Sequence, residues 1–184
     1  MDPTKASESL AVIDQARGET RKALARAGTG YFFIIWGIVW LFGFLGSAIL
    51  PGDAAGYLWL GLDTFGIVGS IAAGIRYSRR VRSPGTWRVL VFWLLLTVQG
   101  GILMWISWPL EGGQYLMFVT ILIAMGYSLL GIWINSPLAI IGVSISVLAV
   151  LGWLLIPAYL GYWLALVGGG GLIGAGVYVL KAWK

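Results

Sequence analysis

The chain has 184 residues, of which 59% are hydrophobic and 10% are charged, and its mean hydropathy is +0.90. A soluble domain of this length needs far more charge on its surface, so the composition predicts an integral membrane protein. The sequence contains neither Cys nor His. It therefore excludes disulfides and thiolate chemistry, and it lacks the commonest general base and transition-metal ligand.

The first 29 residues form a charged segment that precedes the apolar part of the chain. Asp14 and Arg17 are three residues apart, as are Glu19 and Lys22, and this spacing supports a helix. The apolar side of that helix is weak, which is more typical of a solvated or protein-docked helix than of a membrane-surface anchor. We therefore predict that residues 1–29 are a cytoplasmic helical segment.

Residues 30–184 are predicted to form an all-α transmembrane domain, a compact bundle of six spanning helices with short loops. A span takes about 20 mostly apolar residues to cross about 30 Å of hydrocarbon. Five of the six prolines lie between the apolar stretches, where a missing N–H has no cost. Short connections predict that consecutive helices are antiparallel neighbours, with the second span beside the third. The predicted spans are 31–50, 57–75, 89–108, 114–134, 138–156 and 159–180.

The charged residues differ between the two sides of this bundle. All twelve Lys and Arg residues fall in the N-terminal segment, the connection after the second span and the C-terminal end. The connections on the other side carry only Asp53 and Glu111. Because basic residues are retained in the cytoplasm, this pattern predicts cytoplasmic termini and the inner membrane of a prokaryote.

Five arginines cluster around the connection between the second and third spans. Such a patch attracts anionic lipid headgroups by about 1 kcal/mol per charge near the surface. The alternative interpretation is an orientation determinant that binds no ligand. The anionic-lipid candidates are Arg76, Arg79, Arg80, Arg82 and Arg88.

Small residues four apart create strips where helix backbones approach closely. Such strips pack either within one bundle or between a chain and a second copy or another membrane protein. The four-glycine run at 168–171 indicates either a flexible, unwound segment or a tightly packed groove. A comparison of the two halves of the chain shows no internal repeat. The packing candidates are Gly66, Ser70 and Gly74 in the second span and Gly170 and Gly174 in the sixth.

Asp63 is the one acidic residue inside a predicted span. It follows Tyr57 by six residues, which corresponds to about 9 Å below the outer interface. No basic residue belongs to that side, so the carboxyl is protonated, hydrated in a pocket or bound to a cation. Gln99 and Thr97, near the middle of the third span, are the candidates to share its site with it.

The sequence predicts a membrane protein without enzymatic chemistry, because it carries no hydrolase, phosphate-binding or paired-acid motif. No metal, cofactor or nucleic acid is expected. We expect an accessory or structural protein that acts through helix–helix association. The alternative is a transporter or channel for a cation or small solute, with Asp63 as its acidic site. A transporter of this kind could have a mostly apolar, aromatic-lined pocket, although we expect the four candidate tryptophans to contact lipid or fill the core. These are Trp36, Trp40, Trp93 and Trp153.

Overall fold

The computed structural model describes residues 28–78, 86–134 and 136–182, together with Gln15 and Glu19. Within these ranges the chain is helical, without strands, and six of its helices are long and apolar enough to span a membrane. Gln15 and Glu19 are helical, and the Gln15 side-chain amide donates to Glu19 over 3.4 Å. The rest of the predicted N-terminal helix lies outside the described residues.

The first five spans are single α-helices, and the sixth is composite. We number the helices α1 to α7 in chain order. The sixth span, Pro157–Lys181, contains a 3₁₀ turn, a short α-helix, a π-helical segment and a final α-helix. The bounds are α1 Thr29–Ile49, α2 Gly52–Ser78, α3 Thr86–Ile106, α4 Gly112–Ile134, α5 Ser136–Leu155, 3₁₀ turn Pro157–Tyr159, α6 Leu160–Leu164, π segment Ala165–Gly170 and α7 Gly171–Ala182.

The helices lie close to the predicted spans, with one notable difference. α2 begins at Gly52, five residues before the predicted start, because Pro51 accepts the N–H of Ala55 and opens the helix directly after α1. The start of a helix favours proline, because a backbone N–H at that position would have no partner within the helix. The prediction of six apolar helices suited to a multi-pass membrane protein is thus confirmed.

Helix α1 is the centre of the bundle, with α2 on one side and the sixth span on another. Its contact with the sixth span is made by glycines. A Cβ atom on Gly37 would lie 2.9 Å from the Gly169 carbonyl oxygen, and one on Gly30 would lie equally close to that of Gly176. Because Gly37 and Gly30 have no side chains, the backbones of the two helices come close together at these positions.

The interior joining α1, α3 and α4 is aromatic. Tyr127 of α4 contacts Phe33 of α1 at a ring-centroid distance of 6.0 Å and Trp93 of α3 at 5.4 Å. The one buried polar residue among those described is Thr120, whose hydroxyl donates to the Leu116 carbonyl of its own helix over 2.7 Å. The described core is therefore mainly apolar and aromatic.

Helices α2 and α3 are peripheral. In their apolar windows 6% and 11% of the residues are buried in the protein, against 33% for α1. The prediction that the second span packs beside the third is wrong for the described parts of these helices, since α2 packs on α1 and α3 packs on α4. A short connection brings only two helix ends together, and side-chain packing decides where the remainder lies.

Candidate functional site around Asp63

The α1–α2 hairpin is held by two reciprocal tryptophan–serine hydrogen bonds. The Trp36 indole N–H on α1 donates to the Ser70 hydroxyl on α2 over 3.0 Å. The Trp59 indole N–H on α2 donates back to the Ser47 hydroxyl on α1 over 2.8 Å. Each helix thus supplies one donor and one acceptor, and both indole N–H groups are satisfied away from water.

Each tryptophan also covers a glycine of the opposite helix. The Trp59 ring lies over Gly43, where a Cβ atom would come within 2.5 Å of it. The Trp36 ring lies over Gly66, where a Cβ atom would be 3.3 Å away. In both helices this glycine precedes the bonded serine by four residues, so ring and hydroxyl contacts occupy successive turns of one face.

The symmetry has a direct origin in the sequence. Residues 36–47 read WGIVWLFGFLGS and residues 59–70 read WLGLDTFGIVGS. Both match the pattern W-x5-F-G-x2-G-S, with an offset of 23 residues. The second glycines also correspond, since Gly46 packs on Leu58 and Gly69 packs on Ile35. An antiparallel pair with the same motif on each helix is therefore two-fold pseudosymmetric.

The same register fixes the depth of Asp63. Asp63 precedes Gly69 by six residues, and Gly69 contacts Ile35, so Asp63 is level with Leu41 in the antiparallel pair. Leu41 is two residues from the middle of α1, about 3 Å by helical rise. Asp63 thus lies closer to the middle of the span than its distance from Tyr57 suggests, and there a charged group is more costly.

Asp63 is partly buried and has no close partner within the described chain. No described residue forms a hydrogen bond or ion pair with its carboxylate. Tyr115, in the first turn of α4, lies within electrostatic range of it. The neighbouring hydroxyl of Thr64 donates to the Leu60 carbonyl over 2.7 Å. The half-buried Asp63 carboxylate therefore leaves its hydrogen-bonding capacity unused within the described chain.

The structure does not bring Gln99 and Thr97 to Asp63. Both side chains are exposed on α3, and the Thr97 hydroxyl donates to the Trp93 carbonyl of its own helix over 2.9 Å. Because α3 packs on α4 and not on α2, these residues and Asp63 are not assembled into one site within the described chain.

The small-residue candidates fall into two groups. Gly66 and Ser70 lie in the α1 contact described above. Gly74 and Gly174 are exposed and would place a Cβ atom in open space, and Gly170 would make one ordinary contact. The sixth span instead contacts α1 through a different set of glycines: Gly161, Gly168, Gly169 and Gly176.

The glycine run is helical throughout, and its first three residues belong to the π segment Ala165–Gly170. Gly168 packs under the ring of Trp40, and Gly169 packs against the backbone of Leu41. Gly171, on the other side of the helix, has open space around it. The run thus combines a close helix contact with an open face, and it is not unwound.

The remaining candidates lie at the ends of the bundle or on its surface. Arg76 and Arg88 are exposed, and the Arg88 guanidinium lies 5.8 Å from the centroid of the Trp87 ring. Arg79, Arg80 and Arg82 lie outside the described residues. No group of three or more metal-ligating side chains occurs in the described ranges.

A shallow apolar groove of about 410 Å³ runs along α4, and it does not include Asp63. Of the four tryptophans considered as pocket lining, only Trp153 borders it, whereas Trp40 is buried in the core. The groove is lined by Leu103, Leu110, Gln114, Met117, Phe118, Ile121, Leu122, Met125 and Trp153.

Comparison of the chain with known proteins assigns it to no family. No family model matches the sequence, and no curated protein and no solved structure matches it significantly.

Proposed function

We propose that the protein is an accessory or structural membrane protein that acts by helix–helix association through the open face of α2. The observation that carries this proposal is the contrast between α2 and α1. α2 buries only 6% of its apolar window, against 33% for α1, yet it holds an intramembrane carboxylate with no hydrogen-bond or ion-pair partner among the described residues. We define the open face of α2 as a strip of residues that are exposed apart from the half-buried Asp63: Leu60, Asp63, Thr64, Ile67 and Ile71.

The apolar interior supports association over transport. A solute path needs several polar groups that converge within the membrane. In the described core the buried polar residue is Thr120, and its hydroxyl is already bonded to its own helix. Gln99 and Thr97 are exposed on α3, which packs on α4, so they are not assembled with Asp63 among the described residues.

The orientation and chemistry follow from the sequence. The positive-inside rule favours cytoplasmic termini in the inner membrane of a prokaryote, with the arginines near the α2–α3 connection next to anionic headgroups. We propose no enzymatic activity, metal, cofactor or nucleic-acid partner for the chain, because its sequence carries no motif for any of them.

Photo-crosslinking in native membranes tests the association. A photoreactive residue is placed at Ile67 on the open face of α2, and a matched one at Val147 on α5, because both native side chains are 53% exposed. We expect a protein adduct of discrete mass at position 67 and only lipid adducts at position 147. Only lipid adducts at both positions, or the same adduct at both, would overturn the proposal.

A cation or small-solute transporter with Asp63 as its acidic site is the second candidate. The depth of Asp63 favours it, because intramembrane acids commonly mark ion or substrate pathways. Proton and cation flux into proteoliposomes, compared between the wild type and Asp63→Asn, tests this role. Flux that exceeds that of empty liposomes and disappears in the variant would replace association as the function.

A further inference from the structure

The pseudosymmetry of the α1–α2 hairpin indicates which kind of structural element would pack on the open face of α2. With the 23-residue offset, Leu60, Asp63 and Ile67 of α2 correspond to Gly37, Trp40 and Phe44 of α1. Those three α1 residues face the sixth span, which runs antiparallel to α1. The two-fold rotation that relates α1 to α2 therefore places an equivalent helix position beside α2, where Leu60 and Ile67 are 67% and 53% exposed.

Asp63 adds a chemical requirement to that position. Arg76, the nearest basic residue in sequence, is thirteen residues further along α2, which is about 20 Å of helical rise. The sequence has no Lys or Arg at 27–75 or at 89–180, so no span carries a basic residue at the level of Asp63. A charged carboxylate this deep in a span is costly unless it is paired, and the spans carry no Lys or Arg at its level, so a basic side chain of another molecule would offset that cost.

The surroundings of Asp63 suit a basic side chain better than a bare metal ion. Hard cations such as Ca²⁺ and Mg²⁺ take six or more oxygen ligands. Near Asp63 the backbone carbonyls are engaged in helical bonds, and the Thr64 hydroxyl is bound to Leu60. An ammonium or guanidinium brings its own hydrogen-bond donors and needs only the carboxylate as acceptor.

We infer that the occupant is a transmembrane helix of a different protein, antiparallel to α2, that carries a Lys or Arg level with Asp63. This inference rests on the proposed association through α2 and specifies its partner. A second copy of this chain supplies no such residue, because residues 27–75 and 89–180 contain no Lys or Arg.

Model helices in vesicles test the pairing. The probes are three synthetic poly-Leu/Ala helices of about 20 residues, identical except for one Lys, Leu or Glu at the level of Asp63. Because the chain contains no Cys, Ser107→Cys gives a single dye site, and energy transfer to labelled helices reports binding in phosphatidylcholine vesicles. Asp53→Asn is the matched control, since Asp53 lies in the first turn of α2.

We expect the Lys helix to bind about tenfold more tightly than the Leu helix, and the Glu helix to bind most weakly. Asp63→Asn removes this preference and Asp53→Asn keeps it. Asp63→Lys reverses the preference in favour of the Glu helix. This reversal also shows that the lost preference of Asp63→Asn is not caused by misfolding at this position. Ile67→Trp weakens all three helices by blocking the open face of α2.

Two results would overturn the inference. Equal binding of the three helices to the wild type would exclude charge pairing but leave the photo-crosslinked association in place, so the two proposals fail separately. Energy transfer between two labelled copies of the chain that Asp63→Asn abolishes would identify a second copy as the occupant.

Discussion

The faces of α1 and α2 that correspond by the 23-residue offset have opposite surroundings. On α1 the face is filled by the sixth span, which packs its glycines under Trp40 and against Gly37. On α2 the corresponding residues are Asp63 and Leu60, and Leu60 is 67% exposed. The shared motif therefore determines how the two helices pair with each other, while the residues beside the motif determine what each helix binds next.

The largest effect is expected where α1 touches the sixth span backbone to backbone. Gly37→Leu introduces on α1 the residue that α2 has at the corresponding position, and we expect it to lower the free energy of unfolding by about 3 kcal/mol through overpacking. Gly61→Leu is the control, because Gly61 faces open space. SDS titration in mixed micelles measures both, and equal losses would contradict the comparison.

Truncating the paired apolar residues gives the next effect. Phe44→Ala should cost about 2 kcal/mol, below the 3–5 kcal/mol typical of soluble cores, because unfolded spans remain in an apolar solvent and lose only packing contacts. Ile67→Ala, its counterpart on α2, should cost less than about 0.5 kcal/mol in the isolated protein. The same unfolding assay applies, and a comparable loss for Ile67→Ala would show that this face is packed within the chain.

The reciprocal hydrogen bonds should have equal and smaller effects. Trp36→Phe and Trp59→Phe each remove one indole N–H donor, and we expect each to cost about 1 kcal/mol. Double-mutant cycles with Ser70→Ala and Ser47→Ala measure the two coupling energies separately. Pseudosymmetry requires them to be similar, and a coupling at only one pair would break it.

The smallest effect on the isolated protein is expected at Asp63. Asp63→Asn should leave the free energy of unfolding within about 0.5 kcal/mol of the wild type, because no described residue bonds to the carboxylate. Trp40→Ala, at the corresponding α1 position, should be clearly destabilising, since the Trp40 ring is buried against Gly168 of the sixth span. A large loss for Asp63→Asn would reveal an internal partner.

Hydropathy was sufficient to predict the helices, because each span has to be apolar over about 20 residues regardless of its neighbours. It was not sufficient for their arrangement. The short α2–α3 connection suggested neighbouring helices, yet α3 packs on α4, where Gly126 accommodates Leu96 and Trp93. Such complementary shapes depend on pairs of residues far apart in the sequence, and hydropathy does not encode them.

For the candidate site, the sequence identified Asp63 as exceptional but not its surroundings. Its depth depends on the register between α1 and α2, which follows from contacts such as Ile35 with Gly69. The signal that predicts this register is the motif W-x5-F-G-x2-G-S. A comparison of the two halves of the chain misses it, because both copies lie within the first two spans.

The reciprocal clamp, formed by the two tryptophan–serine hydrogen bonds between α1 and α2, also bears on how the chain is assembled during synthesis. It joins helices of opposite direction, so two copies of α1 inserted in the same orientation cannot form it with each other. The second motif reaches the membrane next, only 23 residues later, in the reverse orientation. By the positive-inside rule we expect the basic residues to orient the spans, and they would then also select the pairing partner. A single span inserted in the reverse direction would lose this clamp.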